Sequence, residues 1–543
     1  MNEKELIRFI LDNAVLHSGK AQVGSVISKI LSVHPELKEN AKELSEEVKG
    51  LVNDINSWDL ERQKNKLKEL GEFEVIEKEE KDKVPELKNT NKLVVRFAPN
   101  PNGPISLGHC RPALWNWFIS KKYGGKYILR FDDTDPKVKP PMKDAYKWFI
   151  EDLRWLGVKP NKVVTQSKRL KRYYKYAQKL INMNKAYVCT CETEKKRDLI
   201  RKGLKCECYD KYQSDRWKDM FEKYKPGEAV LRIKTDLKNP NPAIRDWAAF
   251  RIVDNHKHPV NMKARVWPLL NFASAIDDHE FKVTHILRGI DLSTSDDRQK
   301  YIYDYFDWKY PETIYHGKLL VAGVKSTSES RDLIDMGEIS DWDDPRLGTI
   351  RSLRRRGFES AAIIKFITKA SIRKADVNVS MEALASFNRE IIDSKTRRYF
   401  FIEDPKRIRI EKSPDEKVTI PLHPDHPEFG YRTLETKDGY FYVQDELEKD
   451  VNYRFMHLFN FKNKEFVSKE INPNLKTKMI HWLPSGDGLI KIKILMSDGK
   501  LIYGYGEPDL RNIRIGEVVQ FERNFFAKLE SKDETYNFIY CHK

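Results

Sequence analysis

No run of apolar residues in this chain of 543 approaches the roughly 18 that a membrane-spanning helix requires. Nor does Met1-Asn2-Glu3-Lys4-Glu5 carry the basic segment and apolar stretch of a secretory signal peptide. A cytoplasmic chain with no membrane partner is the expectation. Cysteine is scarce: Cys110, Cys189, Cys191, Cys206, Cys208 and Cys541. Nothing suggests secretion and four of the six cluster, so a metal explains that cluster better than disulfides do. Acidic charge is in deficit, 82 Asp and Glu against 99 Lys and Arg, which leaves a net charge of +17. Such a surface suits a polyanionic partner such as nucleic acid, although many basic proteins bind none. The length allows about three to five domains, each with a core.

What is present is organised around Val94-Val95-Arg96-Phe97-Ala98-Pro99-Asn100-Pro101-Asn102-Gly103-Pro104-Ile105-Ser106-Leu107-Gly108-His109. A short apolar, β-branched run passes through a Pro/Gly/Asn turn into Ala113-Leu114-Trp115-Asn116-Trp117-Phe118, which has helical character. A buried strand, a loop and a helix N-terminus are predicted. In an open α/β sheet, ligands sit at the carboxyl end of such a strand, and helix N-termini favour phosphate. An ordinary strand-to-helix turn would look the same, so the Gly108-His109 pair alone decides nothing. Next, Gly125-Lys126-Tyr127-Ile128-Leu129-Arg130-Phe131 is a second apolar strand, ending in Asp132-Asp133-Thr134-Asp135-Pro136. Strand, helix and strand at this spacing predict a parallel βαβ unit. A helix follows over 145–156, with Gly157 as its stop.

Before this unit, Leu6, Ile7, Phe9, Ile10 and Leu11, then Val23, Val26, Ile27, Ile30 and Leu31, recur with helical period. Breaks at His17-Ser18-Gly19 and His34-Pro35-Glu36 predict a small helical unit, and the charged run Lys78 to Lys83 continuing to Asn91 predicts a linker. After it, Cys189-Thr190-Cys191 and Cys206-Glu207-Cys208 offer four soft ligands suited to structural zinc. Reduced cysteines in a small insert are the alternative, because C-x-C replaces the commoner C-x-x-C. Strands are expected to alternate with helices between about 228 and 310. Lys318 to Val321 predicts a strand that enters the loop Ala322-Gly323-Val324-Lys325-Ser326-Thr327-Ser328. Residues 345 to about 400 read as helical, with Arg351, Arg354, Arg355 and Arg356 on a solvated face. From about 405, short alternating strands predict one or two β-barrels.

The blocks quoted, in this order, resemble the glutamyl-tRNA synthetases of the archaeal and eukaryotic type, relatives of the glutaminyl-tRNA synthetases. Arg96 to Pro104 with Leu107-Gly108-His109 resembles the first class I signature, and Leu129 to Pro136 the block that follows it. Asn271 to His279 with Thr284 to Gly289, and Trp342 to Ile350 with Leu353 to Gly357, resemble two further blocks. The resemblance implies a multidomain fold: an α/β Rossmann-type catalytic core, an inserted α/β domain, helical N-terminal and connector regions, and C-terminal all-β barrels. The implied boundaries are a helical domain at 1–88, two catalytic halves at 89–185 and 266–340, an acceptor-stem-binding insert at 186–265, a connector at 341–402 and anticodon-binding barrels at 403–543.

The implied reaction joins L-glutamate to the 3′ end of tRNA(Glu), and by the same resemblance tRNA(Gln), through glutamyl-adenylate. ATP with Mg2+ is the co-substrate, and tRNA is held by its acceptor stem and anticodon. A monomer is expected. Arg96 would hold the side-chain carboxylate, Asp132 the α-ammonium, and Arg288 would favour glutamate over glutamine. Pro99, Gly108 and His109, with Ser326, Thr327 and Ser328, would bind ATP, and His109 and Lys325 would act on its phosphates. Cys189, Cys191, Cys206 and Cys208 would hold Zn2+. Four positions depart from the family pattern. Ser106 replaces a histidine, Glu329 stands where a cation is usual, Leu270 replaces an aromatic residue, and Ile290 replaces a lysine. These changes keep a second reading open, a paralogue that binds tRNA or an adenylate but charges weakly. Glutaminyl-tRNA synthetase is a third reading, which Arg288 disfavours.

Overall fold

The computed structural model describes residues 3–16, 19–34, 37, 41–70, 84–211, 213–471 and 476–543. It divides into two compact units, Met1–Lys83 and Val84–Lys543. The first holds α1 (Glu3–Leu16), α2 (Val23–Val33), α3 (Ala41–Asn56) and α4 (Leu60–Leu70). Leu6, Phe9, Ile10 and Leu11 of α1 bury against Val26 and Ile30 of α2 and Val48, Val52 and Ile55 of α3, as the helical spacing predicts. Gln63 is buried beside them, and its amide donates to the carbonyls of Gly19 and Ile55 at 3.0 and 2.8 Å. Residues 17–18 and 35–36 of the two expected breaks, and the charged run 78–83, lie outside the described residues.

In the second unit, β1 (Val94–Phe97) is buried on both faces, as an apolar β-branched strand in a parallel sheet should be. The crossover α5 (Leu107–Lys122) returns the chain to β2 (Lys126–Phe131), parallel to β1 with Val94 opposite Lys126. After α6 (Ala145–Trp155), β3 (Lys162–Thr165) joins the far edge of β2. Gly157 follows α6 with φ +74°, the left-handed turn expected of a helix stop. Following α7 (Leu170–Asn182), a separate sheet inserts: β4 (Ala186–Cys189), β5 (Val230–Ile233), β6 (Ala248–Ile252) and β7 (Val266–Pro268), antiparallel in that order. The expected alternation of strand and helix therefore fails in this stretch. Both helices of the insert, α8 (Thr193–Lys202) and α9 (Ser214–Glu222), fall between β4 and β5, and β5 to β7 follow one another by loops.

A second parallel sheet, of two strands, then follows beside the first. α10 (Leu270–Glu280) leads to β8 (His285–Gly289), which lies along β1 with Thr284 N donating to Val94 O at 2.9 Å. α11 (Ser293–Tyr305) leads on to β9 (Glu312–His316), parallel to β8. Strands are thus added to one side of β1 early in the chain and to the other side late. The crevice between β1 and β8, where the two parallel sheets meet, is the topological switch point.

β10 (Leu319–Val321), α12 (Thr327–Asp335), α13 (Ile350–Arg356), α14 (Ser360–Lys369), β11 (Val377–Val379) and α15 (Met381–Ile392) complete the helical stretch. Its arginines are mostly not a solvated face. Arg356 is buried and donates to Cys541 O at 2.6 Å and Tyr540 O at 3.2 Å, Arg355 grips Glu530 at 2.6 and 3.0 Å, and Arg351 reaches Glu151 at 3.5 Å. Arg354 is the exposed member of the run.

The C-terminal region is all-β, as predicted. A seven-stranded sheet begins at Arg398–Tyr399 and ends at Phe401–Glu403, two pieces of one stretch broken at Phe400, so its ladder returns on itself around Phe401, Ile492, Ile494, Val519 and Phe521. Smaller sheets surround a second core of Phe441, Phe455, Phe459 and Trp482. Between them Arg432 is buried, with Nε at 2.9 Å from Glu507 and Nη2 at 2.9 Å from Glu522. Burial pushes the Glu507 carboxyl up to about 7. An acid whose folded value is raised above its unfolded one stabilises the fold below the unfolded value and loses that contribution as pH rises through the folded value. The wild-type melting temperature should therefore fall relative to Glu507→Gln between pH 5 and pH 8, and a difference independent of pH would show the carboxylate already ionised at pH 5.

Candidate active site

At the switch point, the carboxyl ends of β1, β2 and β8 deliver Arg96, Asp132 and Arg288 into one buried ionic cluster. Arg130, one residue from the end of β2, is its centre. Its Nε lies 2.6 Å from Asp132 Oδ1, its Nη1 2.6 Å from Asp278 Oδ1, and its Nη2 3.1 Å from Ser274 Oγ. Ser274 Oγ donates in turn to Asp132 Oδ2 at 3.2 Å. Arg96 Nε shares Asp278 Oδ1 at the longer distance of 3.3 Å, and Nη1 donates to Leu287 O at 3.3 Å. Asp277, next along α10, accepts from Arg169 and Tyr173, both at 2.8 Å. Arg288 is paired with Asp296 of α11 and donates to Gln299 Oε1 at 3.1 Å.

These charges have left water, so each is compensated by another. Burial raises the Asp132 carboxyl, and Arg130 opposes that rise. Burial would raise Asp278 too, but Arg96, Arg130 and Arg288 together hold it below its ordinary value. Asp278 Oδ2 is buried with no hydrogen-bond partner, and so are Asn271 Oδ1 and Gln299 Nε2. Two orphaned acceptors and one orphaned donor suit a polar ligand carrying both an ammonium group and carboxylate oxygens.

The other half of the site lies at the N-terminus of α5. Ser106 is its N-cap: its Oγ accepts from His109 N at 3.4 Å, and its own N–H lies 3.4 Å from His109 Nδ1. Burial, with help from Lys139, pushes the His109 imidazole down to about 4, so it is neutral at pH 7. A side chain at Gly108 would meet Ser106 Oγ at an ordinary 3.7 Å, so crowding by the protein itself does not demand glycine there. Gly103 differs, because a Cβ there would stand 2.7 Å from Thr327 Cγ2 and 2.9 Å from the Trp342 ring. The loop before α5 is therefore packed against α12 and the segment leading into α13. Leu107 N donates to Gly348 O at 3.1 Å, and Ile350 N to Ile105 O at 2.8 Å.

α12 has its own cap. Ser326 Oγ accepts from Glu329 N at 3.3 Å, and Glu329 Oε2 accepts from Ser326 N at 2.7 Å. Glu329 is thus occupied in helix capping. Arg331 is occupied as well, donating to Asn102 O at 2.6 Å and Pro140 O at 3.3 Å. Lys325 is exposed at the loop's tip. Pro99 lies between β1 and this loop, its carbonyl accepting from Asp132 N at 2.9 Å.

The insert reaches back to the cluster through the loop between β6 and β7. His258 is buried, Nδ1 accepts from Val260 N and Asn261 N, and Nε2 meets Asp133 O at 2.7 Å. The Asp133 carboxylate accepts from Ser167 N, Ser167 Oγ and Tyr146 OH at 2.6 to 2.8 Å. Arg251 of β6 pairs with Asp135.

Elsewhere in the insert, the sulfurs of Cys189, Cys191, Cys206 and Cys208 all lie within 4.8 Å of one another. Cys189 and Cys206 are 3.9 Å apart, and Cys191 and Cys208 are 3.8 Å apart. Four sulfurs at about 2.3 Å from a tetrahedral ion stand about 3.8 Å apart, so the donor set fits zinc.

All the residues singled out in the sequence at the switch point are thus brought together, and Ser326, Thr327 and Ser328 begin a helix packed on the loop before α5. Sequence reasoning missed Arg130, Ser274, Asp278, Asp296 and Gln299. Arg130 and Asp278 lie inside quoted blocks, yet nothing in their neighbours says that they meet. Asp296 lies on a helix of low amphipathic contrast, where an acidic residue resembles any solvated one.

Comparison with known proteins bears on the whole chain. Residues 92–394 match the family described as tRNA synthetases class I (E and Q), catalytic domain, and residues 396–481 match the anti-codon binding domain of the same family. The chain is similar to a glutamate–tRNA ligase of Pyrococcus abyssi, 46% identical over 573 residues and 100% of each chain. It is also similar to one of Methanocaldococcus jannaschii, 42% identical over 559 residues and 99% of each. A crystal structure of a glutamate tRNA ligase from Elizabethkingia meningosepticum aligns over 56% of this chain and 70% of its own, with 22% identity and a TM-score of 0.41.

The half-buried, neutral His109 yields a test by pH. The profile of kcat/KM for ATP in the free enzyme should show no inflection from this group between pH 5.5 and 8, and His109→Gln should leave the shape of the profile unchanged while lowering its height. An inflection near 6.5 that disappears in the variant would show that His109 works as a cation.

Proposed function

The chain belongs to the class I tRNA synthetases of the E and Q kind, and on that premise we propose that it ligates L-glutamate to tRNA at the expense of ATP. The observation that carries this reading is the switch-point cluster, in which three sequence-distant positions, Arg96, Asp132 and Arg288, converge beside unpaired polar atoms. In this reading the substrate's side-chain carboxylate pairs with Arg96, whose hold on Asp278 is the weaker of the two arginines sharing it. The α-ammonium is taken by the carboxylates of Asp132 and Asp278. Because Arg130 and Ser274 already engage both Asp132 oxygens, the unpartnered Asp278 Oδ2 is the better acceptor.

ATP enters with Mg2+ and lies along the N-terminus of α5, where Pro99 and Gly108 leave room for the nucleotide and neutral His109 donates to a phosphate oxygen. The N-terminus of α12, at Ser326, Thr327 and Ser328, covers the triphosphate, with the exposed Lys325 just before it as a cation. The α-carboxylate of glutamate attacks the α-phosphorus and pyrophosphate leaves. A terminal ribose hydroxyl of tRNA then attacks the acyl carbon and AMP leaves. Positioning and charge stabilisation account for both steps without a nucleophilic side chain. Ser106 and Glu329, two departures from the family pattern, cap α5 and α12, and this local role explains them without a loss of chemistry.

The insert binds the acceptor stem, and its latch through His258 ties that contact to the backbone beside Asp132. The C-terminal sheets bind the anticodon, and the excess of basic side chains draws the polyanion. The four cysteines would hold a structural Zn2+, whose chemistry is to add folding free energy to the segment between β4 and β5, where the buried cluster around the sulfurs is small. A monomeric cytoplasmic enzyme is consistent with this reading, and no helix among the described residues is long and apolar enough to cross a membrane.

Glutamate-dependent ATP–pyrophosphate exchange, measured with tRNA present, tests the function, and its absence would overturn it. Metal analysis tests the cysteines. One zinc per chain is expected, and Cys206→Ser should lose it and destabilise the fold by several kcal/mol, on the order of the cost of removing a structural metal. Four freely titrating thiols in the native protein would rule the metal out.

A further inference from the structure

Arg288 does not stand alone. Of its two terminal nitrogens, Nη1 is paired with Asp296 Oδ1 and Nη2 donates to Gln299 Oε1 at 3.1 Å. Asp296 is held in place by two phenols: Tyr310 OH at 3.0 Å from Oδ1, and Tyr315 OH on Oδ2. Arg288, Asp296 and Gln299 are 7%, 2% and 1% exposed, so water does not screen the pair. An arginine so placed selects a carboxylate over a carboxamide only by the net charge that it leaves uncompensated. Here that charge is met inside the protein before any substrate arrives. The pair presents a dipole, and Gln299 adds a buried Nε2 with no partner. That amide suits an acceptor oxygen, which a γ-carboxylate and a γ-carboxamide both carry. Arg96 is different, because its one carboxylate partner is Asp278, which Arg130 holds more closely, at 2.6 Å against 3.3 Å.

We propose that Asp296 is a specificity-determining residue. By neutralising Arg288 it leaves Arg96 as the cation that chiefly distinguishes glutamate from glutamine, and it makes that distinction weaker than an unpaired Arg288 would. The inference rests on the proposed ligation of glutamate and concerns the same pocket. Asp296 works through Arg288, so its effect is on the choice between two substrates of equal size and not on the chemical step.

The test uses the purified full chain with tRNA present and measures kcat and KM in ATP–pyrophosphate exchange for both amino acids. Wild-type exchange with glutamate comes first. Its absence would overturn the function and this inference with it, whereas the variants below can overturn the inference alone. Asp296→Asn keeps the shape and one accepting oxygen but leaves the Arg288 charge uncompensated. The ratio of kcat/KM for glutamate to that for glutamine should rise by about tenfold or more, through a lower KM for glutamate with kcat little changed. The double variant Arg288→Gln with Asp296→Asn replaces the ion pair by two neutral amides and keeps the net charge. Its ratio should stay within about threefold of wild type, which also provides a reading if the single variant folds poorly. A ratio that is unchanged or lower in Asp296→Asn, or that collapses in the double variant, would show that Arg288 acts on the substrate by its own charge, and would overturn the proposal.

Discussion

The Arg130 guanidinium is the interaction on which the rest of the catalytic unit depends. Buried at the end of β2, it holds Asp132 of its own strand and Asp278 of α10, and through Asp278 it reaches Arg96 on β1. A buried guanidinium without carboxylates, or those carboxylates without it, would carry an uncompensated charge in a medium that cannot solvate it. Three elements from two halves of the catalytic unit, separated in sequence by the whole insert, are therefore bound to one arrangement. The cluster specifies which groups meet across the crevice between β1 and β8.

The site divides into two electrostatic halves joined by α5. On one side lie paired, permanently charged groups with a few polar atoms left over, which suit a small zwitterion. On the other lie a helix N-terminus, a neutral imidazole and backbone amides, which suit an anion without a fixed buried cation. Ser106 and Glu329 satisfy the first-turn amides of α5 and α12, an ordinary role for serine and glutamate at those positions.

Polar anchors add direction to the apolar packing that joins the lobes. His258 links the insert to the backbone of Asp133, and Arg355 and Arg356 link α13 to the final strands of the chain. Each anchor is directional, so it transmits position, whereas an apolar contact of the same size would tolerate sliding. The insert and the C-terminal sheets are thereby held in register with the crevice between β1 and β8.

The linear chain determined a good deal by itself. Period-2 and period-3.6 patterns, Gly/Pro punctuation and the strand-loop-helix at 94–122 were enough for the parallel core, the N-terminal helices and the all-β end, because those signals are local. The ordered blocks carried the family and named Arg96, Asp132 and Arg288. Tertiary structure alone decided three things. The insert is antiparallel, since pairing of β5 to β7 depends on which strands meet and not on their composition. Three of the four arginines of α13 are struts and not a solvated face, since the partners of Arg351, Arg355 and Arg356 named above lie more than a hundred residues away. And the net charge at Arg288 is set by Asp296, eight residues on in the chain but one helix away in space. Compensation of a buried charge is a property of the neighbourhood, and a sequence does not print its neighbourhoods.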